Sequence, residues 1–144
     1  MKKLVLIFGA LLSAQAFACP DLSGTYQDKN GESVVLAQRG CDEVSVLSRP
    51  LTHTLLLDNV FTVVQDDNDV TAYGRGIFEG DVLVLEAKVT YKRDPGIPKF
   101  LLPVRAVNKY TSTTTGDLQE LGTIYNWYDK VLTTTKTVYK KTAY

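Results

Sequence analysis

The chain of 144 residues is poor in the residue types that build metal and thiol sites, with one histidine and two cysteines. His53 has no companion at metal-ligand spacing, and the acidic segment Asp66, Asp67, Asn68, Asp69 lacks the central glycine and closing glutamate of a calcium loop. A Gly-x-Ser-x-Gly elbow, a phosphate-binding glycine loop and a convincing carboxylate pair are also missing. The sequence therefore predicts a protein that is not an enzyme and uses no metal or cofactor.

An excess of charge of one sign is missing too. The chain carries 16 basic and 16 acidic residues and has no basic run, which disfavours binding to nucleic acid. No apolar segment beyond the N-terminus approaches the roughly 20 residues that a membrane-spanning helix needs. The pattern therefore predicts no transmembrane helix in the mature chain.

The N-terminus has the features of a secretory signal. Lys2 and Lys3 precede an apolar stretch over residues 4–12, and the small-residue site at 16–18 lies directly before Cys19. Residues 1–18 are therefore predicted to be a signal peptide and residues 19–144 a single domain of the periplasm or the secreted fraction. Removal of this segment with its two lysines would leave 14 basic and 16 acidic residues in the mature chain.

The two cysteines favour a disulfide. In an oxidising compartment, Cys19 and Cys41 are expected to pair and to tie the mature N-terminus to the second strand turn. The alternative is a lipid anchor on Cys19, since bacterial lipoproteins keep a cysteine just after the cleavage site. Ala16 and Phe17 depart from the lipoprotein pattern and disfavour that alternative.

Alternating β-branched, aromatic and polar residues predict an all-β fold with almost no helix. Asn30-Gly31 is the strongest hairpin signal, and Pro103 indicates an edge or bulged position. Short sequential hairpins favour one antiparallel up-and-down barrel of about 8–10 strands over the alternative, a two-sheet β-sandwich. The predicted strands cover residues 23–28, 33–39, 43–48, 52–57, 60–65, 70–78, 82–92, 101–111, 118–128 and 131–141.

The segment Asp21 to Tyr26 resembles the first strand of the lipocalin-like (calycin) β-barrels, in which a Gly-x-Trp triplet opens the strand. The resemblance implies that Gly24 and Tyr26 take the places of that glycine and tryptophan. The aromatic ring would close one end of the barrel beneath a basic side chain of the last strand, Lys140 or Lys141. An ordinary turn glycine and strand tyrosine are the alternative interpretation.

The same resemblance implies a cup for a small hydrophobic or amphipathic ligand. One face of the two long central strands is then expected to line that cup. The alternative is an interior that is simply filled by these side chains. The candidate ligand-binding residues are Tyr73, Arg75, Ile77, Leu83, Leu85, Val89 and Tyr91.

The C-terminal hairpin is rich in aromatic residues. Alternation puts Tyr125 and Trp127 on one face, which is a candidate contact surface for an envelope protein partner or a sugar, although such side chains more often pack inside. This gives a second hypothesis, a non-catalytic structural or protein-interaction domain. A third, a small outer-membrane barrel ending at Tyr144, is disfavoured because Lys136, Lys140 and Thr142 interrupt the apolar register.

Overall fold

The computed structural model describes residues 19–48 and 51–142, so the predicted signal peptide lies outside the described residues. All regular structure in this part of the chain is β. The ten strands are β1 (Gly24–Gln27), β2 (Ser33–Arg39), β3 (Glu43–Ser48), β4 (Leu51–Leu56), β5 (Thr62–Asp66), β6 (Val70–Glu79), β7 (Val82–Tyr91), β8 (Pro103–Ser112), β9 (Leu118–Asn126) and β10 (Val131–Lys141).

The strands form one antiparallel sheet in the order β4-β3-β2-β1-β10-β9-β8-β7-β6-β5. Chain neighbours are sheet neighbours throughout, except between β4 and β5, and the first strand pairs with the last. The sheet curls into a nearly closed barrel, which confirms the predicted all-β up-and-down barrel over the sandwich. No helix able to cross a membrane is found in residues 19–48 and 51–142.

Local turn chemistry sets the strand ends. Asp58 accepts a hydrogen bond from the Val60 amide at 2.9 Å and Asn59 adopts a positive φ of 63°, so β5 begins at Thr62 rather than at residue 60. β9 ends at Asn126, two residues before the predicted end, because a tight turn begins there. Pro103 opens β8, and the β8–β9 register shifts between Pro103 and Arg105, which confirms a bulge.

The two faces of the sheet differ sharply in burial. The inner face carries the core, in which Leu22, Leu36, Val44, Leu83 and Leu118 are fully buried. The outer face carries the alternate residues, such as Val84 between Leu83 and Leu85, and is mostly half-buried or exposed.

Two glycines of β6 allow the barrel to close. A Cβ added at Gly76 would lie 2.6 Å from Leu57 Cδ2, and one at Gly74 would lie 3.0 Å from Leu55 Cδ2. Leu55 in β4 and Leu57 just after it therefore occupy the space that larger side chains of β6 would take. The Asn59 amide also donates to the Gly76 carbonyl at 3.0 Å, which joins the two ends of the sheet.

The segment before β1 covers one end of the core. Cys19 is disulfide-bonded to Cys41, as predicted, and this bond cannot coexist with a lipid on the same sulfur. Gln38 accepts from the Leu22 amide at 3.1 Å and donates to the carbonyls of Pro20 and Gly40. These contacts hold Leu22 inside the barrel, where its carbonyl accepts the Tyr26 hydroxyl hydrogen bond at 2.9 Å.

Replacing Cys19 and Cys41 with serine is expected to lower the free energy of unfolding by about 3 kcal/mol, because the unfolded chain regains the freedom of a loop of this length. Urea unfolding of the oxidised protein and of the double variant measures the difference. Each single variant should lose as much as the double variant, since the same bond is lost. A double variant that unfolds at the wild-type urea concentration would contradict the prediction.

Candidate functional site

The structure distributes the predicted ligand-binding residues over both faces of the sheet. Four residues of β7 lie on the inner face: Leu83, Leu85, Val89 and Tyr91. Tyr73, Arg75 and Ile77 of β6 are on the outer face, since they pair with Lys88, Glu86 and Val84. The two groups thus lie on opposite faces of the sheet.

The inner face is filled at the end that the N-terminal segment covers. Leu83 is fully buried in the core, with Leu85 and Phe78 packed against it. Tyr91, at the far end of β7, donates a hydrogen bond to the Pro103 carbonyl at 2.9 Å. The end of the barrel around Leu83 therefore resembles a packed core more than a ligand cup.

A carboxylate in the inner face is held by two tyrosines. Glu120 Oε1 accepts from the Tyr110 hydroxyl at 2.9 Å, and Glu120 Oε2 accepts from the Tyr139 hydroxyl at 2.8 Å. Burial raises the pKa of both phenols above the ordinary value, and the neighbouring Glu120 carboxylate raises it further. The cluster satisfies its polar groups internally and ties β8, β9 and β10 together.

The raised pKa of these two phenols predicts alkaline instability. In the unfolded chain both phenols ionise near pH 10, whereas the folded chain keeps them neutral. Their contribution to the free energy of unfolding is therefore fully present below about pH 10 and is lost as the pH rises further. Urea unfolding between pH 8 and 12 should show this fall, and Tyr139→Phe should make it shallower. Tyr128→Phe, which changes an exposed ring, should keep the wild-type slope; equal slopes in all three proteins would contradict the prediction.

The residues of the predicted barrel-closing motif lie together. Tyr26 is buried, and the ammonium nearest its ring is that of Lys141, 5.8 Å from the ring centre. Lys141 also lies 3.0 Å from the position a Cβ on Gly24 would take. Lys140 pairs in register with Gln27 instead, so of the two candidate lysines it is Lys141 that covers the ring.

One end of the barrel exposes apolar side chains from two adjacent loops. Phe100 is 59% exposed in the β7–β8 loop, and Trp127 and Tyr128 are 51% and 59% exposed in the β9–β10 turn. Lys99 lies over the Trp127 ring, 4.9 Å from its centre, and connects the two loops. We call this surface the aromatic end; its members are Ile97, Phe100, Leu101, Trp127, Tyr128 and Val131.

Asn126 holds the aromatic end in place. Its side chain is buried, with 5% exposed, and donates to the Phe100 carbonyl at 2.8 Å. Its side-chain oxygen accepts from the amides of Tyr128 and Lys130 at 2.9 and 3.0 Å. Leu102 is buried beneath the first loop, so both loops present their aromatic rings from a fixed backbone.

Asn126→Ala is expected to cost about 2–3 kcal/mol of stability, because two amides and one carbonyl lose their partner. Urea unfolding measures the loss, and amide exchange at Tyr128 and Lys130 should accelerate more than in the rest of β9. Asn68→Ala is the matched control, since Asn68 is exposed and makes no side-chain hydrogen bond in the described structure. Unchanged exchange at both amides would contradict the role of Asn126.

The outer face contains a cleft of about 260 Å³ between the β4–β5 loop and β9. Strands β6, β7 and β8 supply most of its surface. Its lining residues are Asn59, Arg75, Ile77, Glu79, Val84, Glu86, Arg105, Val107, Lys109 and Tyr125. We call it the outer cleft.

A buried carboxylate organises the charges of the outer cleft. Glu86 is 8% exposed and accepts from Nε of Arg75 at 2.8 Å and from the Nη2 of the same side chain. Arg105 approaches the other oxygen of Glu86 at 3.7 Å and donates to Asp129 at 2.6 Å. Both guanidinium groups are therefore held in fixed positions, because one buried carboxylate lies between them.

Aromatic rings support the same cations. The Arg105 guanidinium lies over the Tyr125 ring at 3.7 Å from its centre, and Arg75 and Lys88 lie 4.5 and 4.4 Å from the centre of Phe61. Such contacts pair a flat apolar ring with a cation that remains partly hydrated. A further contact of this kind, Lys99 over Trp127, lies at the aromatic end.

Sequence reasoning missed the two buried polar residues that organise these surfaces. Glu86 occupies a polar position of an alternating strand and looked solvent-exposed, whereas the arginines of two neighbouring strands cover it. Asn126 follows a strand pattern and gives no sign that three backbone groups converge on it. The turn signal at Asp129-Lys130 could have suggested that Trp127 and Tyr128 leave the strand.

The described ranges contain no group of three or more His, Cys, Asp or Glu side chains placed to hold a metal ion. Comparisons with protein-family models, with curated proteins and with solved structures found no match. The barrel is compatible with a lipocalin-like fold.

Proposed function

We propose that this chain is a non-catalytic interaction module of the bacterial envelope or the secreted fraction, and that it binds a macromolecular partner through the aromatic end. The observation that carries the proposal is the exposure of Phe100, Trp127 and Tyr128 on loops that Asn126 holds rigid. The three rings alone offer roughly 300 Å² of accessible surface, judged from the area that an aromatic side chain can bury. Exposed patches of that size are often functional.

Rigidity makes this surface suitable for binding. Aromatic side chains provide contact area at a small entropic cost, and a backbone that is already ordered loses little freedom when a partner arrives. The surface also presents tryptophan and tyrosine, two of the residue types that dominate the binding energy in many protein interfaces.

The interior favours this function over a lipocalin-type cup. Leu83 and Leu85, two of the residues expected to line a cup, are part of the core, and Leu55 and Leu57 fill the space beside Gly74 and Gly76. Membership of the lipocalin-like barrels remains part of the proposal. Its support is the Gly24 and Tyr26 pair beneath Lys141.

The location outside the cytoplasm is supported by the Cys19–Cys41 disulfide, because such bonds persist in oxidising compartments. The residues before Cys19 have the charge and apolar pattern of a leader. Periplasm and secretion are both consistent with these features.

Site-specific photo-crosslinking in the native host tests the proposal. A photoreactive phenylalanine analogue replaces Tyr128 in the exported full chain. In the control protein the same analogue replaces Val138, which is 46% exposed and lies near the C-terminal end of β10. We expect a defined higher-mass adduct from position 128 and none from position 138. Adding Phe100→Ala and Trp127→Ala to the first protein should reduce the adduct at least fivefold.

An adduct of twice the mass of the chain would identify a second copy as the partner and would support the proposal. Equal adducts from both positions, or no adduct from position 128 in any compartment, would contradict it. Unchanged circular dichroism and urea unfolding of the Phe100→Ala, Trp127→Ala protein must accompany the result, so that loss of the adduct reflects the surface and not the fold.

A further inference from the structure

The outer cleft joins an apolar surface to a set of cations. Ile77 and Val84 pair across β6 and β7, and Val107 lies on β8 beside them. Arg75, Arg105 and Lys109 also line the cleft. When the groups ion-paired to the lining residues are counted as well, four cations, Arg75, Lys88, Arg105 and Lys109, face three carboxylates, Glu79, Glu86 and Asp129. The surplus of one positive charge favours a negative group beside the apolar wall of the cleft.

Arg75 retains hydrogen-bond donors for such a group. Glu86 uses Nε and Nη2 of Arg75, which leaves Nη1 without a partner among the described residues. A guanidinium has five N–H donors in a flat fork, and a carboxylate matches that fork with two oxygens. Because Glu86 and the Phe61 ring hold Arg75 in place, little side-chain freedom is lost when an anion binds.

Lys109 is a cation that the rest of the described chain leaves unpaired. It is exposed on the outer face of β8, between Val84 of β7 and Leu121 of β9. No hydrogen bond, ion pair or ring contact engages its ammonium within residues 19–48 and 51–142. It can therefore turn toward an anion in the cleft without breaking an existing contact.

The volume of the cleft matches a small occupant. A volume of about 260 Å³ corresponds to roughly nine water molecules at the ~30 Å³ that each occupies in the liquid. A ligand of fewer than about ten heavy atoms fits this space, whereas a lipid chain or an oligosaccharide would extend beyond it.

From this combination we infer that the outer cleft is a binding site for a small aliphatic carboxylate. The carboxylate lies between the free edge of Arg75 and the ammonium of Lys109, and the aliphatic body covers Ile77, Val84 and Val107. The site is separate from the aromatic end, and its occupant is a small molecule rather than the macromolecular partner proposed above.

Titration of the full mature chain with hexanoate, followed by amide NMR shifts, tests the inference. Hexanoate has an apolar body and one charge, and a dissociation constant on the order of 1 mM is expected for a ligand of this size. The amides of Val84, Val107 and Lys109 should shift together. Hexanol, which lacks the charge, and acetate, which lacks the body, should bind at least tenfold more weakly.

Two matched lysine variants locate the charge contact. Lys109→Gln should weaken hexanoate binding about five- to tenfold. Lys136→Gln should keep the wild-type affinity within twofold, since Lys136 lies on the same face on the other side of Leu121 but does not line the cleft. Both positions are exposed on strands, so both variants are expected to fold, and their amide spectra verify this.

The inference is overturned if hexanoate shifts no cleft amide at concentrations of about 20 mM, if hexanol binds as tightly as hexanoate, or if Lys109→Gln and Lys136→Gln bind alike. Shifts confined to inner-face residues such as Leu83 and Leu118 would overturn it as well, because the ligand would then occupy the barrel interior. The photo-crosslinking result at Tyr128 is independent of all these outcomes.

Discussion

Closure of the sheet depends on the contact between β4 and β6. This single sheet has one apolar face to bury, and it does so by curling until Leu55 and Leu57, at the end of β4 and just after it, reach β6. Gly74 and Gly76 make that approach possible because their missing side chains leave room for Leu55 and Leu57. Burial of the core on the inner face depends on this closure.

Both surfaces that we propose for binding lie outside the packed core. Each of these surfaces contains one buried polar side chain with several partners. Asn126 forms hydrogen bonds with three backbone groups, and Glu86 accepts hydrogen bonds from Arg75 and lies beside Arg105. A buried polar group of this kind is costly unless all its partners are present, and it therefore specifies one arrangement of the loops and side chains around it. The aromatic end and the outer cleft both depend on such a group.

Much of the fold could be predicted because strand signals are local. The Asn30-Gly31 turn, the interruption at Pro103 and the β-branched runs placed all ten strands within a few residues of their observed bounds. The face of β6 was harder to predict. Its inner positions include Gly74 and Gly76, so the larger side chains Tyr73, Arg75 and Ile77 lie outside, contrary to the usual pattern in which larger apolar residues point inward. Only the leucines of β4, some 20 residues earlier, explain that inversion.

The sequence by itself determined that the chain is all-β, where its turns lie and that its two cysteines can pair, because alternation, turn chemistry and residue count are properties of short segments or of composition. The tertiary structure alone decided which face of each strand is buried and which polar side chains are enclosed. Burial of Glu86 requires arginines from two other strands, and the role of Asn126 requires a loop that begins more than 30 residues before it. Such contacts depend on strand register and on the curl of the whole sheet, and no single segment of the sequence determines either of them.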